Sequence, residues 1–186
     1  MRTKLTIFSI TFPVVMALDI ITKRWALSAL AGGHRMHLFG GLVPLTLAYN
    51  KGAAFGMRLG EDSRWFFVPV TFLALILLGA LLRQTARRDY VRIIALALVM
   101  SGAIGNLFDR LRWSRGVVDF IGPLDLGFWD FPIFNVADMA ITCGAVLLAV
   151  SFWLEERGQA APAVATEGEG SGHPAPAGEG AAGLPD

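Results

Sequence analysis

Four long apolar segments constrain the fold of this chain more than any other feature of its sequence. They cover residues 5–21, 65–82, 91–108 and 136–154. Each is close to the roughly 20 apolar residues that an α-helix needs to cross a bilayer. The composition agrees, because 54% of the 186 residues are hydrophobic and only 17% are charged, which is unusual for a soluble domain. The sequence therefore predicts an all-α integral membrane protein with four transmembrane helices.

Two connections between these segments have a different character. Residues 36–50 combine apolar residues with turn glycines and a proline, which is typical of short strands or of an extended interfacial segment. Residues 113–134 are rich in aromatic side chains, which favour the headgroup level of a membrane. We therefore expect a small β element on the outer, extracytoplasmic face.

The end of the chain changes in composition. Residues 158–186 consist mostly of Gly, Ala, Pro, Glu and Ser, with no aromatic residue. Such a segment buries too little apolar surface to offset the entropy that it would lose on ordering. The sequence predicts a membrane domain over residues 1–157, followed by a disordered tail without catalytic residues.

Arginine and lysine residues indicate how the spans are oriented. The connection 83–90 contains three arginines, and Arg92 follows just beyond it. Loops rich in these residues stay on the cytoplasmic side, which predicts a cytoplasmic location for this connection and for both termini. The opposite loops also carry basic residues, so the prediction depends on density near the helix ends and not on a simple total.

The first segment has an alternative interpretation as a cleaved signal peptide. Arg2 and Lys4 precede it, and the Ala-Leu-Ala sequence at 29–31 is typical of a cleavage site. Against cleavage, the apolar run exceeds the roughly 7 to 15 residues of a signal peptide, and Asp19 and Lys23 lie before the small residues. On these residues alone both interpretations stay open, with a retained span favoured.

No cofactor or metal site is predicted. The histidines at 34, 37 and 173 lack the HExxH spacing of a zinc site. Cys143 is the single cysteine, and we interpret it as a small buried residue on an apolar helix. The net charge of +1 gives no indication of a nucleic-acid partner.

Most ionisable residues near the spans have a structural interpretation. Asp19 and Lys23 are four residues apart, which places them on one helix face where they can form an ion pair. Four more charged residues lie at a helix end or in a loop, where a solvated surface position is the default. They are Asp109, Arg110, Asp125 and Asp130.

Two further aspartates have less ordinary surroundings. Asp119 follows two valines in an extended run, and Asp138 lies in the first turn of the last segment, after a potential N-cap at Asn135. Apolar neighbours are expected to raise the pKa of Asp119, whereas a helix start suits a negative side chain. Two carboxyls whose surroundings shift their pKa values in opposite directions suit acid–base hydrolysis. A structural interpretation, with Asp138 stabilising the helix start and Asp119 reaching headgroup water, stays open.

Four motifs, taken in order, resemble those of the bacterial lipoprotein signal peptidases (signal peptidase II). They are NKGAAFG at 50–56, GAIGNLFDR at 102–110, VVDF at 117–120 and FNVAD at 134–138. Asp19 and Lys23 also match the D-x-x-x-K pattern of the family's retained first span. One local departure is Ser101, where the family often has glycine.

The resemblance implies an aspartic endopeptidase of the bacterial cytoplasmic (inner) membrane, with its active site at the outer leaflet. Its partners would be membrane lipid and prolipoproteins carrying a diacylglyceryl group, cut just before the modified cysteine, and it would act as a monomer without cofactor or nucleic acid. Asp119 and Asp138 match the catalytic residues. The positions that line the site and hold the substrate are Asn50, Gly52, Asn106, Arg110 and Asn135, and Asp19 and Lys23 match positions of structural support.

Two rival functions fit the sequence less well. Intramembrane aspartic proteases of a second class carry a GxGD motif, which does not occur here. A membrane scaffold or transporter component would use the same polar residues as a buried network or a translocation path. A transporter would more naturally show repeated halves and broken helices, and the sequence shows neither.

Overall fold

The computed structural model describes residues 2–52 and 64–160. Its four long helices are α1 (Arg2–Ala29), α2 (Arg64–Gln84), α3 (Tyr90–Arg112) and α4 (Val136–Ala160). All four are long and apolar enough to cross a membrane, so the predicted spans are confirmed. Three of them begin before the predicted apolar segment, and all four end after it, because flanking polar residues continue the helical hydrogen bonding.

The connections between the helices form a three-stranded antiparallel sheet. It consists of β1 (Arg35–Leu38), β2 (Val43–Asn50) and β3 (Val117–Ile121), in the order β1-β2-β3. β1 and β2 form a hairpin within the predicted strand region, and β3 contains the extended run around Asp119. A second, two-stranded sheet pairs β4 (Leu124–Asp125) with β5 (Asp130–Phe131). The predicted small β element is therefore confirmed.

A small apolar core attaches the three-stranded sheet to the end of α1. It contains Ala26 and Leu30 of α1, Leu45 of β2 and Phe120 of β3, all of which are buried. Trp25 packs edge-on against the Phe120 ring, with 6.3 Å between ring centroids. Burying a side chain of the size of Phe120 contributes roughly 1.5 to 3 kcal/mol, and this contribution helps to hold β3 against the helix.

Glycines allow α3 to pack closely against α1 and α4. A Cβ at Gly102 would collide with the Ala137 carbonyl oxygen, and one at Gly105 would lie 2.6 Å from Asp19 Oδ2. Gly144 of α4 lies against the α3 backbone in the same way. The prediction that small residues in the third span permit close helix approach is confirmed, and this packing brings the polar residues of three helices together.

Two predictions about the last helix concern the burial of Cys143 and the residue at which the tail begins. Cys143 is exposed on α4, so the prediction of a buried cysteine is wrong. Its side chain lies on an outward face of the helix, where a membrane span is as apolar as on its inward face. The chain divides into two units at the boundary between Phe152 and Trp153, which lies within α4. α4 continues to Ala160, past the predicted start of the tail at residue 158, and residues 161–186 lie outside the described residues.

Candidate active site

Asp119 and Asp138, which we call the acid pair, reach the same place from different elements. Asp119 lies at the centre of β3, where its backbone pairs with Ala48 of β2. Asp138 lies in the first turn of α4. The Gly122-to-Asn135 connection returns the chain beside β3, because Phe134 exchanges backbone hydrogen bonds with Ile121. The start of α4 is therefore held next to the strand that carries Asp119.

Asn135 joins the two acids through its side chain and its backbone. Its Oδ1 accepts a hydrogen bond from the Asp138 backbone N–H at 2.9 Å, and Asp138 Oδ2 accepts one from the Asn135 backbone N–H at 3.1 Å. This reciprocal cap confirms the predicted N-cap of α4. Asn135 Nδ2 also donates to Asp119 Oδ1 at 2.6 Å. A single, fully buried asparagine therefore contacts both carboxyls.

Asp119 is buried, with only 2% of its surface exposed. The pKa of Asp119 is raised from the ordinary 3.8 to about 7, because burial and, to a smaller extent, the charge of Asp138 outweigh the hydrogen bonds from Asn135 and Asn50 and the charge of Lys23, which lower it. The predicted direction of the shift is confirmed. A carboxyl with this pKa exchanges its proton near neutral pH, which suits a general acid or base.

Asn106 of α3 holds the other side of Asp138. Its Nδ2 donates to Asp138 Oδ1 at 2.7 Å, while its Oδ1 accepts from Asn135 Nδ2 at 3.1 Å. Both oxygens of Asp138 therefore have a hydrogen-bond donor, one from Asn106 and one from the backbone of Asn135. The carboxyl group is fixed in orientation as well as in position.

A buried ionic cluster lies behind Asn106. Lys23 Nζ lies 2.8 Å from Asp19 Oδ2 and 3.0 Å from Asp109 Oδ2, and it donates to Asn106 Oδ1 at 3.1 Å. The predicted pair of Asp19 and Lys23 is confirmed. The solvated position predicted for Asp109 is wrong, since only 6% of it is exposed. Asp109 is buried because β3 passes over it and donates the Val118 N–H to its Oδ2.

Asn50, Gly52 and Arg110 complete the set of predicted site residues. Asn50 contributes a side-chain hydrogen bond to Asp119, and its Oδ1 accepts the Gly52 N–H at 2.8 Å. Gly52 is buried and has φ +101°, a conformation that favours glycine. Residues 53–56 of the same motif lie outside the described residues.

Arg110 is half-buried, so the solvated position that its sequence context predicts is wrong. Its guanidinium lies 5.2 Å from the Phe67 ring centroid, and it interacts electrostatically with both acids of the pair. Asp125 and Asp130, by contrast, are exposed as predicted. Within the described ranges, no group of three or more His, Cys, Asp or Glu residues could hold a metal ion.

Comparison with known proteins places this constellation in a family. The family model of signal peptidase (SPase) II matches residues 11–154. The chain belongs to the signal peptidase II family. It is 39% identical over 156 residues to the lipoprotein signal peptidase of Streptococcus pyogenes, covering 82% of this chain and 97% of that protein. It is 43% identical over 147 residues to the lipoprotein signal peptidase of Hydrogenovibrio crunogenus, covering 77% and 84%.

Two solved bacterial membrane enzymes share the fold of this signal peptidase II chain. One has a TM-score of 0.73 at 28% identity and covers 88% of this chain and 95% of that structure. The other has a TM-score of 0.68 at 30% identity, with coverages of 82% and 93%. The resemblance drawn from the motifs is confirmed, and the chain is a peptidase of a multi-pass membrane family.

All the predicted site residues of this signal peptidase II chain lie within the matched range, from Asp19 to Asp138. Ser101, the local departure from the family pattern, donates to the Ala97 carbonyl oxygen of its own helix at 2.5 Å and leaves the polar site intact. Asp109 was missed as a site residue. Its position three residues after Asn106, on the same face of α3, is the signal that would have identified it.

Proposed function

We propose that this protein is an intramembrane aspartic endopeptidase that removes the signal peptide from diacylglyceryl-modified prolipoproteins, cutting just before the lipid-modified cysteine. The observation that carries the catalytic part is the attachment of Asp119 and Asp138 to one asparagine, Asn135, at 2.6 Å and through the reciprocal cap. The relatives named lipoprotein signal peptidase support the substrate class.

The proposed reaction is hydrolysis of one amide bond by a water molecule and the acid pair. One carboxylate takes a proton from the water molecule while the water oxygen attacks the scissile carbonyl carbon. The other carboxyl, in its acid form, donates a hydrogen bond to the carbonyl oxygen. The tetrahedral intermediate then collapses, the C–N bond breaks, and the leaving nitrogen receives a proton from the pair. A pKa of about 7 at Asp119 supports a pair that shares one proton at neutral pH.

Arg110 supports the same chemistry through its charge. Its guanidinium interacts electrostatically with both Asp119 and Asp138, and its ring contact with Phe67 places it on the α2 side of the site. A fixed cation beside the pair stabilises the negative charge that develops on the carbonyl oxygen. Asn50 and Gly52 contribute backbone and side-chain polar groups that hold the substrate chain next to Asp119.

We place the enzyme in the bacterial cytoplasmic membrane, with both termini in the cytoplasm and the acid pair at the outer leaflet. Large apolar residues between β1 and β2 support a position of this hairpin at a membrane surface, because Phe39 and Leu42 are each 78% exposed and suit insertion among lipid headgroups. The substrate's acyl chains remain in the bilayer, so a single enzyme molecule needs to hold only a short extended peptide. We also propose that the enzyme acts as a monomer and has no nucleic-acid partner.

The test of the acid pair uses two single variants and a matched control. In Asp119→Asn and Asp138→Asn the side chain keeps its shape but loses its exchangeable proton, and we expect kcat for a diacylglyceryl-modified precursor to fall at least about 100-fold. The control, Asp130→Asn, changes an exposed acid and should leave kcat unchanged. Near wild-type cleavage by either of the first two variants would refute the role of the pair.

The cleavage position and the need for the lipid require a separate measurement. Mass spectrometry of the products should show the intact signal peptide and a protein whose first residue is the diacylglyceryl-cysteine. The same precursor without the diacylglyceryl group should be cut far more slowly. Equal cleavage rates for the two precursors would show that the enzyme does not require the diacylglyceryl group.

A further inference from the structure

The ammonium group of Lys23 is completely surrounded by acceptors. It lies 2.8 Å from Asp19 Oδ2, 3.0 Å from Asp109 Oδ2 and 3.1 Å from Asn106 Oδ1. A lysine ammonium has three N–H donors and no acceptor, so each donor has one partner. The side chain is 5% exposed, which leaves these contacts unscreened by bulk water.

The contact with Asn106 determines which way its amide faces. Asn106 Oδ1 accepts from both Lys23 Nζ and Asn135 Nδ2, and its Nδ2 donates to Asp138 Oδ1. A rotated amide would direct its NH₂ group at the ammonium and its oxygen at the Asp138 carboxyl. Since both of those contacts would be repulsive, Lys23 holds the amide in the orientation that donates to Asp138.

The other two contacts of Lys23 also lead to the acid pair. Asp109 Oδ2 accepts the backbone N–H of Val118 at 3.2 Å, and Val118 immediately precedes Asp119. Asp19 Oδ1 accepts the backbone N–H of Ala137 at 3.1 Å, and Ala137 immediately precedes Asp138. One ammonium group therefore fixes the backbone beside each acid through a separate carboxylate.

We propose that Lys23 is a positioning residue of the active site, which fixes the Asn106 amide and the backbone beside Asp119 and Asp138 so that the two carboxyls meet in reactive geometry. The inference rests on the proposed function and goes beyond structural support, because it assigns Lys23 an effect on the rate of the chemical step. Its charge also lowers the pKa of Asp119 against the effect of burial.

A cavity beside Lys23 makes the proposal directly testable. Its volume is about 510 Å³, and its lining includes Asp19, Lys23 and Asp109 together with Arg24 and Arg112. It is partly open, and it is large enough for a small primary amine with its hydration water. An amine that enters the space left by a truncated Lys23 would restore three N–H donors at the same place.

The first experiment measures turnover of Lys23→Ala with and without added amines. We expect kcat to fall about 100-fold, as for a misplaced catalytic group, with KM changed little. Methylammonium or ethylammonium should restore a large part of kcat, whereas tetramethylammonium, which has the charge but no N–H, should not. Arg24→Ala, which alters an exposed residue of the same helix and cavity, is the control and should keep wild-type kcat with no response to amines.

A double-mutant cycle separates positioning from general stability. If Lys23 acts partly through Asn106 and partly through the backbone beside each acid, then Lys23→Ala should lower kcat less in an Asn106→Ala background than in the wild type, without the loss disappearing. If the losses of kcat in the two single variants simply multiply in the double variant, the route from Lys23 through Asn106 is overturned. If Lys23→Ala does not fold, Lys23→Arg replaces it: the planar guanidinium keeps the charge but cannot place three donors on one nitrogen, so kcat should still fall.

The outcomes distinguish this inference from the proposed function. Wild-type kcat in Lys23→Arg, or no rescue of a folded Lys23→Ala by either primary amine, would overturn the role of Lys23 even if Asp119→Asn and Asp138→Asn are inactive. Cleavage by those two variants would overturn the acid pair itself, whatever the Lys23 variants do.

Discussion

Replacing Asp119 with asparagine is expected to stop cleavage and, at the same time, to make the protein more stable in alkaline solution. In the folded protein the pKa of Asp119 is about 7, against an ordinary 3.8. Between these values the folded chain keeps a proton on Asp119 that the unfolded chain has released. The stability that this group contributes is therefore greatest below 3.8 and is lost as the pH rises through about 7.

The size of the effect follows from the same two values. One pKa unit corresponds to about 1.4 kcal/mol, so raising the pH from about 5 to about 9 should lower the free energy of unfolding of the wild type by about 3 kcal/mol through Asp119. The asparagine side chain that replaces Asp119 carries no charge at either pH, and its amide oxygen can still accept from Asn135 Nδ2. The variant should therefore lack this part of the pH dependence.

Thermal unfolding in detergent micelles, followed by intrinsic tryptophan fluorescence at both pH values, measures the difference. The stability gained by Asp119→Asn relative to wild type should be larger near pH 9 than near pH 5. Asp130→Asn, at an exposed position, should show no such change. A variant whose stability relative to wild type is the same at both pH values would refute the reasoning that Asp119 is destabilised by ionisation in the fold.

Three further predictions concern packing, capping and the tail. Gly102→Ala should destabilise the protein by about 1 to 3 kcal/mol, because its Cβ would meet the Ala137 carbonyl oxygen. Gly79→Ala on α2, where nothing lies within 4 Å of the added Cβ, is its control in thermal unfolding and should not destabilise. Asn135→Ala should lose about 0.5 to 2 kcal/mol of cap stability and most activity in the precursor assay. Deletion of residues 161–186 should leave kcat nearly unchanged, and a large loss would contradict the prediction of an inert tail.

The parts of the fold that the sequence predicted have local physical causes. A membrane span needs a long apolar run, and the four runs are contiguous in the chain. The pairing of Asp19 with Lys23 follows from a spacing of four residues on one helix. The cap formed by Asn135 and Asp138 follows from their spacing at a helix start. Each of these features involves residues close together in the sequence.

The wrong predictions concern burial and exposure, which depend on how the helices and strands pack against one another. Asp109 and Arg110 end an apolar helix, a pattern typical of a solvated position, yet β3 and the side chain of Lys23 cover Asp109. Cys143 was predicted to be buried because the whole of its span is apolar. In a membrane helix the lipid-facing and inward-facing sides are equally apolar, so composition does not distinguish them.

The register of the sheet was also beyond prediction. The pairing of β2 with β3 shifts between Leu45 and Ala48, and after this irregularity Ala48 lies opposite Asp119 and Asn50 opposite Val117. A change of register by one residue would direct Asn50 to the other face of the sheet. The motif around Asn50 indicated its importance, but the register after this irregularity places Asn50 on the same face of the sheet as Asp119.

The hydrogen bond from the Ala137 N–H to Asp19 joins residues 118 positions apart. During synthesis the ribosome releases the first span long before the last, so Asp19 and Lys23 enter the bilayer without the donors of α4. Asn135, which contacts both acids, also emerges only at the end. A nascent chain that has not yet released Asn135 and α4 therefore lacks the hydrogen bonds that hold Asp119, Asp138 and Asp19 in the folded protein.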